Sequence, residues 1–210
     1  MNFLRRHWFD IGGISGMILL LILLCFHQRI SDYQLLMWLS VTSLFFHQAE
    51  EYRIVGTFPG MINRVLFKSD LPDRYPLNSN TALLINVGMG WTIYILAALT
   101  GERFIWLGMA TILVSLGNII AHSFVFNIKG KTRYNAGLAT CWFFFAPCVY
   151  GFFKIIHREQ LATETDFLIG IPLGIIINIF GVLKPIKWLA DRNTVFVFTT
   201  RQLLPEDRKN

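Results

Sequence analysis

Six apolar runs, separated by short polar or basic connections, set the pattern of the chain. They fall at about 11–26, 35–50, 81–99, 104–126, 136–156 and 167–183. As helices they match a hydrocarbon layer about 30 Å thick, the first two being the shortest. The pattern predicts an all-α polytopic membrane protein. Its six transmembrane helices form one bundle over 11–185, between a cytoplasmic N-terminus at 1–10 and a cytoplasmic tail at 186–210. The connection 27–33 is so short that the first two helices are expected to be antiparallel neighbours. The longest connection, 54–80, places Met61, Ile62, Val65 and Leu66 at helical spacing beside Arg64 and Lys68. That is the pattern of a short helix on the membrane surface, or of an irregular loop.

Composition sharpens the class. Hydrophobic residues make up 54% of the 210 and charged ones 15%, against about a quarter charged in soluble domains. The first run is followed by no small-x-small cleavage site before Arg29, so it reads as a retained helix. With the N-terminus inside, all of the 19 basic residues except Arg29, Arg103, Lys154 and Arg158 fall on the cytoplasmic side, as the positive-inside rule requires. A bacterial inner membrane is the default location. The net charge of +6 calls for no nucleic-acid partner, because anionic membrane lipid attracts the same charges. Cys25, Cys141 and Cys148 lie inside the runs without metal-knuckle spacing and read as packing residues.

Charge inside such runs carries the candidate chemistry. His47, Glu50 and Glu51 stand at i, i+3 and i+4, within an arc of roughly 100° and about 6 Å of rise. An uncompensated carboxylate in a bilayer costs on the order of 3 kcal/mol, and two adjacent ones repel. A divalent metal, a proton shared with His47, pairing with Arg53 or a hydrated cavity offsets that cost. Two glutamates ending the helix among headgroups would need none of these. Asn118 and His122 share a helix face one turn apart. Counted from the nearest basic residues, His47, His122, Thr140 and Asn178 all lie about 10 Å inside the basic end. Polar groups gathered at one depth suggest a pocket rather than a continuous pore.

His47-x-x-Glu50-Glu51, Asn118-x-x-x-His122 and Tyr134-x-x-Gly137-x-x-Thr140, in that order, resemble the HXXEE-domain family of integral membrane proteins over about residues 11–185. The family's third motif usually reads Tyr-x-Pro-Gly-x-x-Thr, and here Ala136 stands where the proline would be. The resemblance implies a membrane domain of metal-binding or enzymatic character and brings no assigned reaction with it.

Two histidines and one glutamate form a common ligand set for catalytic zinc, with a fourth position for water. The expected centre has His47, His122 and Glu51 holding one divalent metal, zinc before iron. One of Glu50 and Glu51 would be a ligand and the other a general base. Asn118 would orient a ligand or stabilise an oxyanion, and Tyr134 or Thr140 would contact substrate. The corresponding function is a metal-dependent intramembrane hydrolase acting on a lipid or another membrane-embedded substrate at the cytoplasmic leaflet. Competing classes are a metal-free, glutamate-activated hydrolase, a protein that passes or senses protons or metal ions, and a structural subunit with locally bonded histidines. The Glu-Glu-x-x-x-Arg pattern of glutamate-dependent intramembrane proteases is not met, since Val55 occupies the arginine position.

Overall fold

A computed structural model describes residues 2–209, and every regular element among them is helical. The long helices are α1 (Asn2–Phe26), α2 (32–54), α3 (58–66), α4 (79–100), α5 (105–130), α6 (Leu138–Arg158) and α7 (Glu164–Trp188). Side chains mark several of their starts. Ser31 accepts the Gln34 N–H ahead of α2, Asn78 accepts two amides ahead of α4, and Thr163 with Asp166 forms a capping box at α7. Each satisfies backbone donors that a helix start leaves without partners.

Four stretches are long and apolar enough to cross a membrane: Asn2–Arg29, Ser79–Gly130, Leu138–Arg158 and Glu164–Trp188. They mark a membrane protein. The expected count of six is corrected to these four, for two physical reasons. Ser79–Gly130 is a single stretch of 52 residues that reverses at Gly101, where φ is +55°, so that α4 and α5 fold back on one another. The other reason is α2, which buries Ser40, Thr42, Ser43, His47 and Gln48. These polar groups dilute its hydropathy, and α1, α4, α5 and α6 enclose it.

Small residues bring two helix pairs close. Gly12 and Gly16 of α1 lie against Trp91, Phe45 and Phe46, and a Cβ at Gly16 would come within 3.1 Å of the Phe46 ring. Gly170 and Gly174 of α7 meet α5 the same way, with a Cβ at Gly174 falling 2.7 Å from that of Leu113. Both pairs are small-xxx-small seams, the means by which helices pack when lipid supplies no hydrophobic drive between them. Outward, α1 and α7 expose Ile14, Leu21, Leu24, Leu168, Ile175 and Leu183, an apolar exterior suited to lipid.

Most of the helices widen into π turns: Glu50–Ile54, Met61–Leu66, Leu84–Trp91, Ala121–Phe126, Cys141–Phe145 and Ile177–Leu183. Such turns are rare and recur at functional sites. Here they contain Glu50, Glu51, Asn86, His122, Cys141 and Asn178. Pro147 stands where the α6 turn returns to α geometry, which suits a residue that has no N–H to give to the ladder.

The tail does not lie loose on the surface. Phe198, Leu203 and Leu204 are buried, Ser79 N–H donates to the Phe196 carbonyl at 3.0 Å, and Phe198 N–H donates to that of Asp73 at 2.8 Å. The Arg5 guanidinium lies 4.1 Å over the Phe196 ring, so both ends of the chain meet at one end of the bundle. The expected helix in 54–80 exists as α3, yet Pro59, Met61, Ile62 and Asn63 are buried. Asn63 ties the following loop by donating to the Pro72 and Leu77 carbonyls and accepting the Leu77 N–H.

Candidate metal centre

His47 is near the last α turn of α2, Glu50 and Glu51 begin its π turn, and His122 comes from the π turn of α5. All four are buried, His47 at 2% and His122 at 0% exposure. Glu51 Oε1 sits between the two rings, 3.4 Å from His47 Nε2 and 3.3 Å from His122 Nε2. Neither Nε2 has a hydrogen-bond partner. Donors about 2.0–2.1 Å from a tetrahedral zinc stand about 3.3–3.4 Å apart, a separation that both carboxylate-to-imidazole distances match.

The second nitrogens fix the tautomers. Asn135 donates through Nδ2 to the His122 carbonyl at 2.8 Å and to Asn127 Oδ1 at 2.7 Å. Its Oδ1 is left to accept from His122 Nδ1 at 2.6 Å. Thr140 gives its hydroxyl proton to an acceptor-only group, Glu50 Oε2 at 2.6 Å, and so accepts from His47 Nδ1 at 2.9 Å. With both Nδ1 atoms protonated, each imidazole in its neutral form presents an Nε2 lone pair to a carboxylate oxygen. In that state three electron-pair donors converge, and either a metal ion or a proton held between Glu51 and one imidazole would relieve their repulsion.

Cys141 offers a further donor, since ligand atoms of His47, His122 and Cys141 lie within 4.8 Å of one another. That buried group is itself suited to a metal. The sulfur, however, is 3.9 Å from His47 Nδ1, the nitrogen engaged by Thr140. Glu51 faces the two nitrogens that have no hydrogen-bond partner.

Glu50 points elsewhere. Its Oε1 accepts the Tyr134 hydroxyl at 2.5 Å and the Ala139 N–H at 3.3 Å, and its Oε2 accepts the Thr140 N–H at 2.8 Å as well as the Thr140 hydroxyl. Both oxygens are taken, so the general-base role open to either glutamate does not fit Glu50. It anchors the α5–α6 connection and, through Thr140, positions His47. Burial and the adjacent Glu50 carboxylate both raise the Tyr134 pKa above its usual value, which keeps that hydroxyl a donor. Tyr134 and Thr140 thus serve the anchor.

Gly137 explains the close fit of this connection. Its φ is +106°, and a Cβ there would fall 2.5 Å from His122 Cε1 and 2.8 Å from His47 Cε1. Leu138 N–H donates to the Asn135 carbonyl at 3.1 Å, closing a turn with Ala136 second and Gly137 third. Positive φ at the third position is the type II signature, and proline favours the second. Ala136→Pro is therefore expected to stabilise the protein by about 0.5 kcal/mol through the unfolded chain, read as a small rise in thermal midpoint with metal content unchanged.

Asn118 does not reach the histidines. It donates to the Val114 carbonyl at 3.0 Å and lines a cavity of about 190 Å³ that also touches His47 and Glu51. Asn86, Asn178 and Gln48 share that wall, which is otherwise built of residues such as Leu44, Ile85, Met89 and Val182. Phe58 stacks on His122 at 5.6 Å between ring centres, and Phe145 flanks His47 at 4.7 Å. The residues not foreseen were Asn135, Phe58 and Cys141. Of these only Asn135 left a trace, as a polar residue two places before the motif glycine.

A family model described as a protein of unknown function with HXXEE motif matches residues 38–151. No curated protein and no solved structure matches the chain. The matched span covers more than half of the 210 residues and contains His47, Glu50, Glu51, His122, Asn135, Gly137, Thr140 and Cys141. The protein belongs to the HXXEE-motif family.

Proposed function

We propose that the protein is a metal-dependent membrane hydrolase with one divalent ion, zinc before iron, held by His47, Glu51 and His122. The convergence of two unpartnered, buried Nε2 atoms on one carboxylate oxygen carries this reading. A bound zinc would lower the pKa of a coordinated water toward 7 and polarise a carbonyl or phosphoryl oxygen. Asn135 and Thr140 keep both imidazoles in the ligand tautomer, and the surrounding phenylalanines exclude water, which strengthens every charge interaction inside. The cavity beside His47 and Glu51 is mostly apolar, which suits the hydrocarbon part of a lipid substrate, with Asn118 on its wall to orient the polar part. Both termini and the basic end would face the cytoplasm of a bacterial inner membrane.

Metal content by mass spectrometry on detergent-purified protein tests the centre. The parent is expected to carry close to one zinc or iron per chain, and His47→Ala and His122→Ala to lose it while remaining folded by circular dichroism. Release of fatty acid from vesicle lipid, abolished by Glu51→Gln, would extend this to hydrolysis. The same contacts favour one other reading, in which Glu51 and a protonated imidazole form an ion pair that relays protons. A folded parent without metal would replace the hydrolase with that reading.

A further inference from the structure

Tyr52 separates the cavity at the metal centre from a second one. This crevice, of about 240 Å³, opens between the start of α1, the end of α2 and the tail, and its wall carries Arg5, Arg6, His7, Arg53 and Arg201. Asp10 accepts the Arg53 guanidinium through two hydrogen bonds and contacts His7 Nδ1 at 2.9 Å. The other guanidinium groups have only neutral partners. Arg5 donates to Asn80 Oδ1 at 3.3 Å and to Asn2 Oδ1 at 2.9 Å, while Arg201 donates to the Ile54 carbonyl at 3.3 Å. No carboxylate pairs with Arg5, Arg6 or Arg201 among the described residues.

Like charges gathered without a counter-charge repel, yet the fold draws these together from two distant parts of the chain. The tail segment that delivers Arg201 is held in place by the Gln202 amide on the Tyr52 carbonyl at 3.4 Å, so the arrangement is built by packing. Guanidinium forks match phosphate oxygens in geometry and charge. Phe3 and Leu4, exposed on α1, add apolar surface near the same arginines. We propose that this crevice binds a phosphate group, presented by an anionic lipid headgroup or by a free phosphate. The bound phosphate bridges α1 to the tail and tightens tail docking.

The test uses the full chain in detergent, with phosphatidylglycerol, phosphatidylcholine and inorganic phosphate as separate probes, read by native mass spectrometry and thermal midpoint. Phosphatidylglycerol is expected to stay bound and raise the midpoint, with phosphatidylcholine held far more weakly. Loss of each guanidinium should weaken binding about tenfold, so Arg5→Gln with Arg201→Gln should lose about a hundredfold. Arg6→Gln, at an exposed position, gives a variant whose folding is not at issue and should lose about tenfold. Lys154→Gln, outside the crevice, should lose nothing. A midpoint rise with inorganic phosphate equal to that with phosphatidylglycerol identifies the free ion as the source; a rise with the lipid alone identifies the headgroup. Equal retention of phosphatidylglycerol by the parent and the arginine variants, or no binding of either phosphate probe to the parent, overturns the proposal. Metal content, measured on the same samples, reports separately on the centre at Glu51.

Discussion

Gly137→Ala is expected to lower the thermal midpoint by about 10 °C and to abolish metal retention. Two effects add. A non-glycine residue forced to hold φ near +106° costs on the order of 1–3 kcal/mol. The new methyl group also meets both imidazoles inside van der Waals distance, and overpacking of this kind adds about 1–3 kcal/mol. The rings have little room to retreat, because Phe58 and Phe126 close on His122 and Phe145 on His47. Relief has to come from displacing the turn or the histidines, and either movement separates the three ligand atoms. A midpoint within 2–3 °C of the parent, with metal retained, would show that the connection tolerates a side chain and that its approach to the rings is loose.

Glu50→Ala is expected to cost about 3–5 kcal/mol, read as a fall in midpoint, and to weaken zinc binding by about 10–100-fold. The first effect arises because the half-buried Ala139 and Thr140 amides lose their acceptor, at about 1–3 kcal/mol for each donor left unsatisfied, while the exposed Tyr134 turns its hydroxyl to water. The second arises because Thr140 then loses its short, charged acceptor and keeps only the Gly137 carbonyl at 3.1 Å for its hydroxyl, which loosens its hold on His47 Nδ1. Glu50→Gln keeps one acceptor oxygen and should fall between parent and alanine. Glu51→Gln should behave in the opposite sense, losing the metal with a much smaller change in stability. A Glu50→Gln variant of parental stability and metal content but without activity would instead restore Glu50 as a general base and remove the anchor.

The contrast between the two glutamates shows where sequence spacing stops. An arc of roughly 100° is wide enough to hold both, and neighbours on a helix differ by about that angle, so Glu51 turns to His122 while Glu50 turns to Thr140. Counting residues from the basic ends placed His47, His122 and Thr140 at one level, and the three do meet. The same count set Asn178 beside them, although its amide bonds the Leu113 and Gly174 carbonyls and it lines the cavity wall. Depth is readable from sequence; direction around the helix axis depends on its neighbours. The apolar runs located the long helices, although α1 starts nine residues ahead of its run and α7 ends five beyond its own, while the continuous stretch 79–130 and the polar side chains buried in α2 bring the membrane-length stretches to four. Gly12-x-x-x-Gly16 and Gly170-x-x-x-Gly174 were visible spacings that the surrounding apolar residues obscured. Nothing in 196–204 announced burial, because its apolar residues find partners only once α3 and the start of α4 are in position.

The π turns give the centre a dependence on chain length as well as on residue type. Each holds a wider loop of backbone than the α turn it replaces, and one residue more or less rotates everything beyond it by about 100°. His122 lies within such a turn, Ala121–Phe126, and Glu51 within another, Glu50–Ile54. A relative that kept every histidine and glutamate but lacked one residue between 115 and 122 would retain a sound apolar helix and aim its imidazole at a different neighbour. For the centre proposed here, the register of a helix would set the ligands as much as the letters His and Glu do.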